Sequence, residues 1–192
     1  ETGVNGAGKY IVGVDFSGNP HRGAFSDFAP LFEDARANGL KVAVHCAEVD
    51  VPKDTAEEIA FAPDRLGHAL FLSPSHVQTL EKLRIPIEIC PTSNLKTLHL
   101  DSVSEHPTLS RWLSSGYPVS INTDDSGVFS TDASAELCAA AVACALTAQQ
   151  VVALSVAPLD HSFEPDKPAL RALRERFRRE SAFRLAQYQP RL

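Results

Sequence analysis

Histidines and acidic residues stand directly after short apolar runs in this chain. A hydrolytic metal site needs neutral imidazoles and a carboxylate as ligands, with an open position for a water whose pKa the metal lowers to about 7. His45, His68 and Asp124 have side chains of these types. Glu48 follows His45 by three residues, and its carboxylate is suited to carrying protons between such a water and a substrate.

The apolar runs predict five β-strands, each followed by a helical pattern. Repeated βα units of this kind are typical of a parallel sheet, whose carboxyl ends meet at one edge. An open doubly wound sheet and a closed barrel fit the periodicity equally well. The predicted strands are 10–15, 41–45, 65–68, 87–90 and 119–123. The predicted helices are 26–38, 55–61, 75–83, 107–115, an Ala-rich helix capped by Asp132 or Ser134 that runs to Leu146, 148–155 and 167–187.

Each candidate residue also has a structural interpretation. A single histidine after an apolar run is more often a core residue than a ligand, and Asp124 with Asp125 could cap a helix or form a turn. Glu48 could be a surface acid, and Asn94 a turn residue. Reactive residues at five successive strand ends favour a shared site. The remaining histidines are expected at the surface: His21, His76, His99, His106 and His161.

Composition excludes several classes of protein. The formal net charge of -6 disfavours a nucleic-acid surface, and no apolar run approaches the roughly 20 residues that span a bilayer. Residues 1–6 show no features of a secretory signal. The four cysteines lack paired metal spacing and are interpreted as reduced thiols. We therefore expect a cytoplasmic protein without nucleic-acid or membrane partners.

Five motifs in order resemble the adenosine and AMP deaminase superfamily. They are VGVDFSGN at 12–19, VHCAE at 44–48 (resembling HxGE), RLGHA at 65–69 (resembling RxGHG), IEICPTSN at 87–94 and SINTDD at 120–125. The resemblance implies a TIM (β/α)₈ barrel fold of the α/β class, here an incomplete barrel of strands 4–8 with C-terminal helices. Residues 1–192 are then the C-terminal part of a metal-dependent deaminase domain, with strands 1–3 absent.

The family pattern also implies roles for individual residues. His45 and Asp124 are two ligands of one Zn²⁺ ion per active site, and the remaining ligands come from the absent N-terminal segment. Glu48 passes a proton to N1 of the purine. His68 orients and stabilises the hydroxide that attacks C6. The implied reaction is hydrolytic deamination of a purine nucleoside or nucleotide.

Gly18 and Asp125 are the substrate contacts that the resemblance implies. The backbone at Gly18 approaches the purine edge, and Asp125 shares a hydrogen bond at N7. Within the superfamily, Ala47 and the stretches 92–97 and 125–131 favour the adenosine deaminase-like branch, which acts on N6-methyl-AMP. The expected products are IMP and methylamine.

The family takes two further zinc ligands from an HxH pair on its first strand, and no two histidines here are separated by one residue. Two protein ligands are too few for an ordinary catalytic zinc site. Two alternatives stay open: an adenosine deaminase that makes inosine, and an inactive fragment or non-catalytic paralogue. We expect the full-length protein to be a monomer and residues 1–192 alone to be inactive and poorly folded.

Overall fold

The computed structural model describes residues 10–187, so residues 1–6, where no leader was expected, lie outside it. Five strands form one sheet in the order β1-β2-β3-β4-β5, and every neighbouring pair is parallel. The strands are β1 (Gly13–Phe16), β2 (Lys41–Cys46), β3 (Arg65–His68), β4 (Ile87–Ile89) and β5 (Val119–Ile121). Sequential parallel pairing, with a helix after each strand, is the βα arrangement that the apolar runs predict.

Helices fill the connections between strands and follow the last one. They are α1 (Phe25–Ala37), α2 (Pro52–Phe61), α3 (Pro74–Leu83), α4 (Pro91–Thr97), α5 (Leu109–Ser114), α6 (Ser126–Phe129), α7 (Ala133–Ala143), α8 (Ala148–Val156), α9 (Pro158–His161) and α10 (Lys167–Gln187). A 3₁₀-helix at Val103–Glu105 precedes α5. Within residues 10–187, no helix combines the length and apolar composition needed to cross a membrane.

Local residue types explain where several helices begin. Pro52, Pro74 and Pro91 each occupy a first-turn position, where the absent N–H has no intrahelical partner to lose. Of the two caps predicted for the Ala-rich helix, the structure uses Asp132, whose Oδ1 accepts from the backbone N–H groups of Ser134 and Ala135 at 2.9 Å. These residues mark the first turns of α2, α3, α4 and α7.

Alternation along the strands separates an apolar face from a polar one. Paired residues such as Val44, Leu66 and Ile87 lie in register and are fully buried under the surrounding helices. The other face, the interior of the curved sheet, carries Asp15 and Glu88, each on a different strand. The polar interior face therefore supplies the side chains of a site, while the apolar face forms the core.

Three helices lie where loops were expected, and this corrects the predicted connections. The segment after β4, interpreted as a strand-end loop, forms α4, and short helical turns occur at α6 and α9. All three have seven residues or fewer, too few for a 3.6-residue periodicity to emerge from the sequence. Three strands are also shorter than predicted, with β1 beginning at Gly13 rather than Tyr10, whereas β3 has its predicted bounds and β2 extends one residue further to Cys46.

Candidate active site

His45 is held at the end of β2 by the end of β1. Its Nδ1 lies 3.1 Å from the backbone oxygen of Phe16 and 3.2 Å from Oδ1 of Asp15. Because a carbonyl oxygen can only accept, the proton of the neutral ring is on Nδ1 and Nε2 keeps its lone pair. The hydrogen bond that His45 donates to Asp15 raises the pKa of His45, while burial opposes that shift. A histidine held this way presents Nε2 as a metal ligand.

His68 lies beside His45, with 5.0 Å between the ring centroids. Its side chain is 3% exposed, and Nδ1 is 3.2 Å from Nδ2 of Asn94. Burial lowers the pKa of His68, and the charge of Glu48 acts in the opposite direction. The imidazole is therefore a neutral, immobilised group facing the polar interior of the sheet.

Asp124 follows β5 and is oriented from α4. Its Oδ2 accepts a hydrogen bond from Ser93 Oγ at 2.7 Å, which leaves the other carboxylate oxygen available. One possible ligand atom from each of His68, Cys90 and Asp124 lies within 4.8 Å of the others. Imidazole, thiolate and carboxylate are all donors that zinc accepts, so the chemistry of this cluster fits a divalent cation.

Glu48 faces His68 across the site. Its Oε1 lies 4.0 Å from Nε2 of His68, which is longer than a direct hydrogen bond. Glu48 is partly exposed at 25% of its side-chain surface. Its carboxylate can therefore exchange protons with solvent while it faces the two histidines.

Two cavities meet at Asp15 and His45, which line both. One has a volume of about 430 Å³ and contains Gly18 and Glu48 in its wall. The other, of about 410 Å³, is bordered by His68 and by Asp124 with its neighbour Asp125. The combined space is of the size that small-molecule sites occupy, with the reactive side chains at the junction.

The backbone at the strand ends is left-handed at several non-glycine positions. Ala47 has a φ of 51°, His68 of 61°, Ala69 of 51° and Asp124 of 55°. Such conformations cost about 1 to 3 kcal/mol each and cluster at functional sites. At His68 the turn redirects a side chain that plain alternation would place on the face of Leu66. Ala47 and Ala69 stand where the resembling motifs have glycine, the residue that adopts this φ without strain.

The structure brings Glu48, His45, His68 and Asp124 to one edge of the sheet. Asp125 borders the same cavity as Asp124, and Gly18, whose φ of 135° suits glycine, lies across the junction. Lys96 donates to the backbone oxygen of Phe129 at 2.6 Å and so ties α4 to α6.

Two predictions about polar residues were wrong. Asn94 is not a turn residue: it lies on α4, is 1% exposed and contacts His68. His106 is not at the surface: it is 6% exposed and hydrogen-bonded to Asn94. Their contacts bridge the ends of different elements, so no local pattern marks them. Asp15 was detectable, since it stands at a strand end like the other candidates.

Comparisons with known proteins identify a matching family model and several similar sequences. The family model described as adenosine deaminase matches residues 4–179. The adenosine deaminase-like protein of Drosophila melanogaster is 43% identical over 157 residues, and the N6-mAMP deaminase of Arabidopsis thaliana is 38% identical over 157 residues. Each alignment covers 82% of this chain and 46% of the relative.

A solved structure of Arabidopsis ADAL complexed with IMP superimposes with a TM-score of 0.85 at 36% identity, covering 90% of this chain and 50% of that one. The predicted fold class, five parallel strands of a TIM-barrel architecture, is confirmed by this match and by the sheet order. The chain spans about half the length of the curated relatives it matches.

Proposed function

Because this chain belongs to the adenosine deaminase family, we propose that it forms the C-terminal part of a zinc-dependent aminohydrolase. The proposed reaction is hydrolysis at C6 of a purine nucleotide, with N6-methyl-AMP converted to IMP and methylamine. One observation carries the proposal. Two adjacent histidines, a carboxylate and a proton-carrying glutamate, from the ends of β2, β3 and β5 or the loops after them, face the junction of two cavities.

The described residues fit a zinc ion. His45 has its Nδ1 engaged and its Nε2 available, and Asp124 has one oxygen engaged by Ser93 and one available. Such outer hydrogen bonds orient metal ligands in many sites. We assign His45 and Asp124 as two of the ligands. When bound, zinc lowers the pKa of a coordinated water to about 7 and so supplies a nucleophile at neutral pH.

The chain's own residues handle protons and position the purine. Glu48 takes a proton from the nucleophile and delivers one to purine N1, because its partly exposed carboxylate faces His68 and the site. His68, neutral and buried, orients the nucleophile towards C6. Asp125 holds N7 from one cavity wall and the backbone at Gly18 approaches the purine edge from the other.

The choice of substrate rests on the relatives. The Arabidopsis relative carries the name N6-mAMP deaminase, and the superimposed Arabidopsis structure holds IMP, which is the product expected from an AMP derivative. Ala47 and the residues following Asp125 agree with that branch. We propose a nucleoside monophosphate substrate in preference to a nucleoside.

A comparison of three substrates tests the proposal in the intact protein. We expect kcat/KM for N6-methyl-AMP to exceed the values for AMP and for adenosine by at least about tenfold, and Glu48→Gln to lower kcat by about 10² to 10⁴. Glu33→Gln, at an exposed position of α1 outside both cavity walls, is the matched control and should leave kcat unchanged. Preferred turnover of adenosine would replace this proposal with a nucleoside deaminase, and absence of turnover with stoichiometric zinc would reject it.

A further inference from the structure

A buried chain of hydrogen bonds leads from backbone amides to His68. Nδ1 of His106 lies 3.1 Å from the backbone nitrogen of Leu109 and 3.3 Å from that of Thr108. Backbone N–H groups can only donate, so Nδ1 of His106 accepts and carries no proton. The ring proton of the neutral side chain is then on Nε2, which lies 3.1 Å from Oδ1 of Asn94 and donates to it.

The direction of this first bond determines the second. With its oxygen facing His106, the amide of Asn94 turns its NH₂ group towards His68, where Nδ2 lies 3.2 Å from Nδ1. An amide nitrogen donates, so Nδ1 of His68 accepts and its proton is on Nε2. The positions of the ring protons of His106 and His68 thus follow from the backbone N–H groups of Thr108 and Leu109, which can only donate.

We propose that His106 and Asn94 are positioning residues that fix His68 in the Nε2–H tautomer. His68 then presents a hydrogen-bond donor to the site. Its neighbour His45 has the opposite tautomer, because Phe16 accepts from its Nδ1. Two adjacent imidazoles are thereby given different tasks: His45 offers a lone pair and His68 offers a proton donor. The catalytic part of this inference rests on the proposed deaminase function.

Burial protects these hydrogen bonds from competition with water. His106, Asn94 and His68 are 6%, 1% and 3% exposed, so water cannot readily replace a lost partner. Nε2 of His68 points towards Glu48, 4.0 Å away. A neutral histidine that donates from Nε2, with Nδ1 engaged by Asn94, has no lone pair for a metal. In this tautomer His68 is not a metal ligand, so of the three residues whose possible ligand atoms cluster within 4.8 Å, Cys90 and Asp124 keep a donor atom for a cation.

Nitrogen-15 NMR of the imidazoles tests the tautomer directly, in the intact protein with zinc bound and after its removal. Long-range proton–nitrogen spectra distinguish a protonated ring nitrogen from an unprotonated one. We expect His68 to be protonated at Nε2 in both states. Asn94→Asp places an acceptor beside Nδ1 and should move the proton there, whereas His106→Gln keeps a donor towards Asn94 and should preserve the Nε2–H form.

Kinetics provide the second measurement. Asn94→Asp should lower kcat by about 10²-fold with KM changed less than about threefold, because a misplaced ring proton removes a donor needed at the transition state. His106→Gln should stay within about fivefold of wild type. His99→Asn serves as the control. It changes an exposed histidine in the segment between α4 and His106, and asparagine tolerates the φ of 54° at that position.

The outcomes are separable. Wild-type His68 protonated at Nδ1, or an unchanged tautomer in Asn94→Asp, would overturn the positioning role. If the ring proton of His68 moves to Nδ1 in Asn94→Asp and kcat does not fall, the tautomer of His68 is not important for the reaction. A wild-type protein with the expected tautomer but no deaminase activity would contradict the proposed function and leave the assignment of the ring proton standing.

Discussion

Ser93 shows how one hydroxyl can prepare a ligand. Its Oγ donates to Oδ2 of Asp124 at 2.7 Å, which fixes the rotation of a carboxylate that no helix or strand constrains. Loss of such an outer hydrogen bond typically costs about 10- to 100-fold in metal affinity. We expect Ser93→Ala to weaken zinc binding by that factor, measured by competition with a chromogenic chelator. Ser114→Ala, an exposed serine on α5, should leave the affinity unchanged, and equal affinities in both variants would contradict the role of Ser93.

His106 also makes the stability of the fold depend on pH. Burial lowers its pKa to about 4, with a smaller contribution from the charge of His68, whereas an unfolded histidine titrates near about 6.5. Between these values the unfolded chain binds more protons. The contribution of His106 to the free energy of unfolding is therefore fully present above about pH 6.5, and it is lost as the pH falls towards 4.

The His106→Gln variant should lack this component. We expect wild type to lose about 2 kcal/mol more than the variant between pH 7 and pH 4.5, as urea unfolding at the two pH values can show. The other histidines are shared by both proteins, so their titration cancels in the difference. Parallel losses in the two proteins would mean that His106 is protonated in the folded state at pH 4.5.

Helix α7 supports α4 through one fully buried acid. Oε2 of Glu136 accepts from the backbone N–H of Thr92 at 2.8 Å, and Oε1 accepts from the hydroxyl of Thr131. The carboxylate thus ties the start of α4, which carries Ser93 and Asn94, to the segment between α6 and α7. A carboxylate at a helix N-terminus is also favoured by the helix dipole.

Truncation of Glu136 should destabilise the fold. Glu136→Ala removes the acceptor of the partly buried N–H of Thr92, and we expect a loss of about 2 kcal/mol in the free energy of unfolding. Glu136→Gln keeps a carbonyl for Thr92 and an amide for the Thr131 oxygen, so it should lose less than half as much. Urea denaturation compares the two with Glu105→Ala, an exposed control. Equal losses for the Ala and Gln variants would show that the hydrogen bonds contribute little.

Elements and site residues differ in how far the sequence predicts them. The strands and long helices follow from apolar periodicity, and α10 has the predicted bounds of 167–187. The convergence of His45, Glu48, His68 and Asp124 at one edge of the sheet was predictable because parallel strands gather their carboxyl ends. Asn94 and His106 were not, since they act through a contact between a helix and the loop beyond it, and a buried polar pair has no signature in composition or spacing.

At the scale of the whole molecule, the sheet has two open edges. Within residues 10–187, β1 pairs only with β2 and β5 pairs only with β4. Ile11 and Val12 beside β1 are exposed apolar residues. Unpaired edges of this kind are templates for association with other strands, and a barrel has none because its sheet closes. The aligned relatives are about twice as long as the matched segment.

Residues 1–192 expressed on their own should therefore be incomplete in two respects. We expect concentration-dependent association through the edges of β1 and β5, visible by sedimentation velocity, because each edge leaves a row of backbone groups without sheet partners. We also expect substoichiometric zinc and no turnover, since His45 and Asp124 provide two ligands where a catalytic site uses three. Replacing Ile11 and Val12 with lysine should reduce association without restoring zinc. A monomer that holds one zinc ion and deaminates a purine would show that this half of the barrel is sufficient.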